Sequence, residues 1–138
     1  MPARTSGTTE DVVRRYYAVV GDLTHTEAEL EALLHPDATL VELPNPVAPQ
    51  GARRSAEEAL AAFRAGRALL SEQSIEIQEL MAAGERAAVR ALWQGTVGRD
   101  AGPFAAGTRL TAHIAAFVTV RDGRVLAHET YDCYEPFG

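Results

Sequence analysis

Apolar residues recur at helical spacing in the first half of the chain and at strand spacing in the second. Val12, Tyr16, Val19, Val20 and Leu23 fall three or four apart, which gathers them on one face of a helix. Thr8 or Thr9 caps that helix and Gly21 stands where it stops. Thr26 with Glu29 makes a capping box, opening a short helix through Leu30, Leu33 and Leu34. His35-Pro36 ends it, because a residue before proline avoids helical backbone. Ala38 to Leu43 reads as a short strand. In residues 44–51, PNPVAPQG, three prolines and a glycine preclude regular hydrogen bonding and predict a stiff, extended surface loop. Ser55 and Glu58 form a further capping box, and the helix after it carries an inward stripe of Ala59, Leu60, Phe63, Arg67 and Leu70.

After Ser71 the period changes. Residues 73–82, 86–97, 108–120 and 124–134 alternate or run apolar, with β-branched and aromatic residues, and are separated by glycine-containing turns. They predict four consecutive antiparallel strands. The fold class is therefore α+β, a cone-shaped fold of N-terminal helices packed on a curved antiparallel sheet. Residues 9–138 form one domain behind a mobile N-terminal tail, 1–8. Such a cone leaves a cavity at its wide end, where a small-molecule ligand binds.

Composition narrows the possible partners. The 138 residues carry a net charge of −6 and thirteen basic residues, all of them arginine. At this length one core is expected. An acidic chain without a basic run lacks the electrostatic footprint for nucleic acid and for anionic membrane, so neither is an expected partner. Cys133 is the only cysteine, no Cys/His cluster has zinc spacing, and no apolar run approaches the ~20 residues of a membrane span. A cytoplasmic setting with neither metal nor cofactor is expected. The absence of lysine, beside abundant Ala, Arg and Gly, reflects the coding bias of a GC-rich bacterium. It also removes Schiff-base chemistry through a side-chain amine, so any carbonyl chemistry must run through acid/base groups.

Asp122-Gly123 signals a two-residue hairpin turn. If the strands continue regularly from it, residue numbers of facing partners sum to 245. His113 then faces Asp132, Ala115 faces Thr130, and Phe117 faces His128, all on one side of the sheet. His113 and Asp132 would form a proton-transfer dyad in which the carboxylate orients the imidazole. The alternatives are a buried structural hydrogen bond, a position on the outer face, or a bulged turn that changes the register.

The segments LHPDATLVELPNP (34–46), WQGTV (93–97), GTRLTAHIAAFVTVRDGRV (107–125) and YDCYEP (131–136) resemble the SnoaL-like branch of the nuclear-transport-factor-2-like superfamily. The resemblance spans nearly the whole chain. It implies the α+β cone, and its members include polyketide cyclases, ketosteroid isomerases, epoxide hydrolases and ligand binders. Three catalytic positions of those enzymes differ here. Leu43 stands where isomerases place an aspartate before proline, Thr130 where cyclases carry a carboxylate on the last strand, and Ala115 where they carry a histidine. His113 and Asp132 lie one step along the expected face from Ala115 and Thr130.

Two functions follow as expectations. One is a cofactor-free acid/base enzyme of polyketide cyclase-like or isomerase-like type, carrying out an aldol-type cyclisation or isomerisation on a hydrophobic carbonyl metabolite. Its catalytic residues would be His113 and Asp132, with Tyr16, Asn45, Trp93, Phe117, His128 and Thr130 around the substrate; Tyr16 or Asn45 would meet the developing oxyanion. The other is a non-catalytic ligand-binding or dimerisation domain of the same fold. Under both, a homodimer forms through the exposed sheet face, burying positions such as Ile114 and Val118.

Overall fold

Three helices begin at the side chains that the sequence marks as caps. Thr8, Thr26 and Ser55 each accept from the backbone N–H three residues on, and Asp11, Glu29 and Glu58 close reciprocal capping boxes. In the computed structural model, which describes residues 8–137, these open α1 (Thr9–Val20), α2 (Glu27–Leu33) and α3 (Ala56–Leu69). The strands are β1 (Leu34–Glu42), β2 (Ala52–Ser55), β3 (Leu70–Ala83), β4 (Arg86–Val97), β5 (Arg109–Arg121) and β6 (Arg124–Tyr134). The expected tail lies outside the described residues except for Thr8. No helix among the described residues is long and apolar enough to cross a membrane.

All six strands join one open sheet in the order β2-β1-β6-β5-β4-β3. The chain turns from β1 into β2 at one edge, crosses through α3 to β3 at the other, and meanders back until β6 lies beside β1. That return makes β1 and β6 parallel, so the sheet is mixed and not wholly antiparallel as expected. The core fills the layer between helices and sheet. Val12, Val13 and Tyr17 of α1 pack with Val89, Ala91, Ala116, Val118 and Val125 from the sheet's inner, helix-covered face. Arg67 of α3 donates to the backbone oxygens of Leu23 at 2.6 Å and His25 at 2.7 Å, tying α3 to the α1–α2 connection.

The register of the last hairpin departs from a regular one. Asp122 and Gly123 both have positive φ, 55° and 73°, as a type I′ turn requires. Arg121 faces Arg124 and Val120 faces Val125, but Thr119 faces Ala127. Leu126 is thus an extra, bulged residue. It shifts every later partner by one: His113 faces Cys133, Ile114 faces Asp132, Ala116 faces Thr130, and Val118 faces His128. Because neighbouring strand residues point to opposite faces, His128, Thr130 and Asp132 share the inner face with Ile114, Ala116 and Val118, while His113, Ala115 and Phe117 take the outer one.

Candidate functional site

The inner face of β1 and β6, roofed by α1 and α3, encloses a cavity of about 260 Å³. Its walls are largely apolar, with Val20, Leu30, Leu40, Ala59, Ala62, Phe63 and Leu70 among the lining residues. The polar residues on its wall are Tyr16, Glu42, Arg54, Arg67, Gln73, His128, Thr130 and Asp132. A small, mostly apolar hollow with a few convergent polar groups is the usual form of a small-molecule site.

Each polar group is placed by local structure. Glu42 ends β1 on the same alternation that buries Ala38 and Leu40. One Glu42 oxygen accepts from Arg54 Nη1 at 3.2 Å, and the other from Asn45 Nδ2 at 2.9 Å. Asn45 is 8% exposed, and its Oδ1 accepts from the amides of Val47 and Ala48, so it builds the proline loop and fixes Glu42. It does not line the cavity, which corrects its expected contact with substrate. Arg54 reaches Glu42 because β2 pairs with β1, Leu40 facing Arg54. A four-residue edge strand directly after a proline-rich loop gives no periodic signal.

Asp132 and Thr130 follow two apart on β6, and Thr130 Oγ1 donates to Asp132 Oδ1 at 2.6 Å. Burial raises the Asp132 pKa above the usual carboxylate range; the Thr130 hydrogen bond partly offsets this, and the charge of Glu42 adds to it. Two carboxylates with different surroundings therefore share one end of the cavity: Glu42 has both oxygens engaged, and Asp132 keeps Oδ2 without a partner among the described residues. Tyr16 on α1 is 6% exposed; burial, then the charge of Asp132, pushes its hydroxyl well above the ordinary phenol range. It is a neutral donor at any working pH, with no hydrogen-bond partner among the described residues.

His128 lies deeper. Its Nε2 is 2.9 Å from the Tyr17 hydroxyl, and its ring sits 5.2 Å from that of Tyr16. Burial lowers its pKa to about 4, so the imidazole is neutral near pH 7. Trp93 occupies the inner face of β4 and donates from its indole N–H to Gln73 Oε1 at 2.8 Å. It braces a lining residue without lining the cavity itself. Its ring needs Gly95, where an added Cβ would sit 2.6 Å from the indole.

The structure overturns the His113–Asp132 pair. His113 is on the outer face with its Nε2 2.8 Å from Glu135 Oε2, both side chains being more than half exposed. Phe117 is also outside, 44% exposed and edge-to-face with Tyr131. The bulge at Leu126 is the cause, since one extra residue exchanges the faces that β6 shows to β5. Tyr16, His128, Thr130 and Asp132 do meet at the cavity. Glu42, Arg54 and Gln73 join them without having been picked as site residues; for Glu42 the available signal was its place two residues before Pro44.

Known proteins match this arrangement at the level of fold. The putatively assigned polyketide cyclase IdmH of Streptomyces antibioticus superposes with a TM-score of 0.76 at 21% identity, over 91% of this chain and 92% of that one. A protein of ketosteroid isomerase-like fold from Catenulispora acidiphila, solved with trimethylamine, gives 0.72 at 17% identity, over 91% and 88%. The LEH-like epoxide hydrolase of M. tuberculosis gives 0.71 at 14% identity, over 90% and 81%. No curated protein matches in sequence. The SnoaL-like domain family matches residues 13–128, from the first helix to the buried histidine of the last strand. With that span and the sequence resemblance in agreement, the chain belongs to the SnoaL-like domain family.

Proposed function

We propose that this chain is an enzyme using cofactor-free acid/base chemistry on a small hydrophobic carbonyl metabolite, by proton abstraction and enol stabilisation, as in an isomerisation or aldol-type cyclisation. The carrying observation is Asp132, with a raised pKa and one oxygen unengaged among the described residues, on the wall of a largely apolar cavity that the neutral Tyr16 and His128 also line. Asp132 takes the place first given to His113 as the group that moves the proton. Its raised pKa brings it nearer to neutrality, where a general base works best. Glu42, clamped by Arg54 and Asn45, holds a fixed negative charge beside it. Tyr16 donates to the oxygen on which charge develops.

The test is deuterium incorporation at the α-carbon of 2-tetralone, a hydrophobic ketone of suitable size, followed by NMR in D2O. The wild-type chain should accelerate exchange, and Asp132→Asn should lower that rate by roughly 10²–10⁴-fold. No acceleration over buffer across a panel of cyclic ketones would sink the catalytic reading and leave the ligand-binding one.

We also propose that the outer sheet face pairs with a second copy of the chain. Phe117, Tyr131 and Met81 are exposed there, at 44, 40 and 62%, beside charges of both signs such as Glu79 with Arg90. An apolar centre with mixed charge suits self-pairing about a two-fold axis. The expected Ile114 and Val118 take no part, since both point inward, Val118 being fully buried.

A further inference from the structure

His128 and Tyr17 form a hydrogen-bonded pair of which only the histidine lines the cavity. Two proton arrangements are open to a neutral imidazole beside a phenol. In the first, Tyr17 O–H donates to Nε2, and the ring proton sits on Nδ1. In the second, Nε2–H donates to the Tyr17 oxygen; the phenol proton then needs another acceptor, and Nδ1 becomes a bare lone pair. No other partner for the Tyr17 hydroxyl or for Nδ1 exists among the described residues. The first arrangement therefore leaves one polar group unsatisfied and the second leaves two. A buried unsatisfied group costs roughly 1–3 kcal/mol, so the first prevails.

The remaining group is Nδ1–H. The two ring nitrogens point in nearly opposite directions, and Nε2 is turned to Tyr17, which is absent from the cavity wall. Nδ1–H is thus the polar atom His128 has left for a ligand. The histidine is 9% exposed, and burial keeps it uncharged. The Tyr16 hydroxyl, likewise without a partner, belongs to a ring only 5.2 Å away.

We propose that His128, through Nδ1–H, is a second neutral donor beside Tyr16 to a single ligand oxygen, and that Tyr17 is the positioning residue that fixes its tautomer. This rests on the proposed carbonyl chemistry and narrows its substrate class. The site would take a ketone or ester oxygen that gains negative charge, in preference to a ligand presenting an ammonium or amide N–H there, because Nδ1–H cannot accept and would be left facing another donor.

The test begins with two-bond ¹H–¹⁵N NMR on the His25→Gln, His35→Gln, His113→Gln triple variant, which leaves His128 as the only one of four histidines and does not touch the cavity. The expected result is an Nδ1–H tautomer at pH 7, with its proton moving downfield on saturation with 2-naphthol, whose aryl oxygen imitates an enolate. Adding Tyr17→Phe should mix the tautomers and weaken 2-naphthol binding roughly 3–10-fold, the loss of about one neutral hydrogen bond. An Nε2–H tautomer, an unmoved Nδ1 proton, or unaltered 2-naphthol affinity in Tyr17→Phe overturns the proposal. An Nδ1–H tautomer that responds to 2-naphthol, with no ketone exchange, would sink the catalytic reading while leaving this donor pair standing.

Discussion

Asp132 and His128 sit four residues apart on one strand, and burial moves their pKa values in opposite directions. For His128 the native state binds a proton only near pH 4, whereas an unfolded histidine does so near 6.5. As pH falls through that window the unfolded chain takes up the proton first, so stability declines, by roughly 3 kcal/mol in all. The raised pKa of Asp132 acts the other way: its native state binds a proton more readily, favouring the fold as pH falls between the ordinary carboxylate value and the raised one. Thermal melts of the triple histidine variant should therefore show Tm falling between about pH 6.5 and pH 5, above the range where ordinary carboxylates titrate. A flat profile there would contradict a buried neutral His128. Asp132→Asn should raise Tm at pH 7 while slowing ketone exchange, because it removes a charge whose burial is unfavourable. An unchanged or lowered Tm would show that the carboxylate is better accommodated than its surroundings indicate.

The elements themselves were largely legible. The helix caps at Thr26 and Ser55, the last four strands and the Asp122-Gly123 turn all stand close to where periodicity and turn chemistry put them. Two things were not. β2 is four residues long, too short to alternate visibly, and the bulge at Leu126 leaves no mark among the β-prone residues around it. Both errors fell on the site, since β2 delivers Arg54 and the bulge decides which face of β6 meets which face of β5. Side chains on β6 were grouped correctly because alternation within one strand needs no partner. Those on β5 were assigned through a register, and one residue reversed them. α3 offers a check on the energetic worth of a legible signal. Ser55→Ala removes the hydroxyl that caps it and should cost about 1 kcal/mol, read as a Tm lower by about 3–5 °C. No measurable change would mean that packing of α3 on the sheet makes the cap redundant.

For the whole molecule, helices cover one face of the sheet and leave the other to solvent in the single chain. If that face pairs with a second copy, sedimentation equilibrium should give twice the mass of one chain, and Phe117→Arg with Tyr131→Arg should halve it without disturbing 2-naphthol binding. A wild-type chain that sediments at the mass of one copy would refute the pairing. The mixed sheet has another consequence, in the order of assembly. β1 finds its parallel neighbour β6 only across roughly two thirds of the chain, Leu40 facing His128, and such distant contacts are slow to form. The local β3–β4–β5 meander can pair much earlier. Glu42 and Asp132 are thus brought together among the last events of folding, and during synthesis they cannot meet until the C-terminal strand has left the ribosome. A chain stopped before β6 would lack His128, Thr130 and Asp132 together with the strand that joins β1 to β5, leaving the cavity floor incomplete.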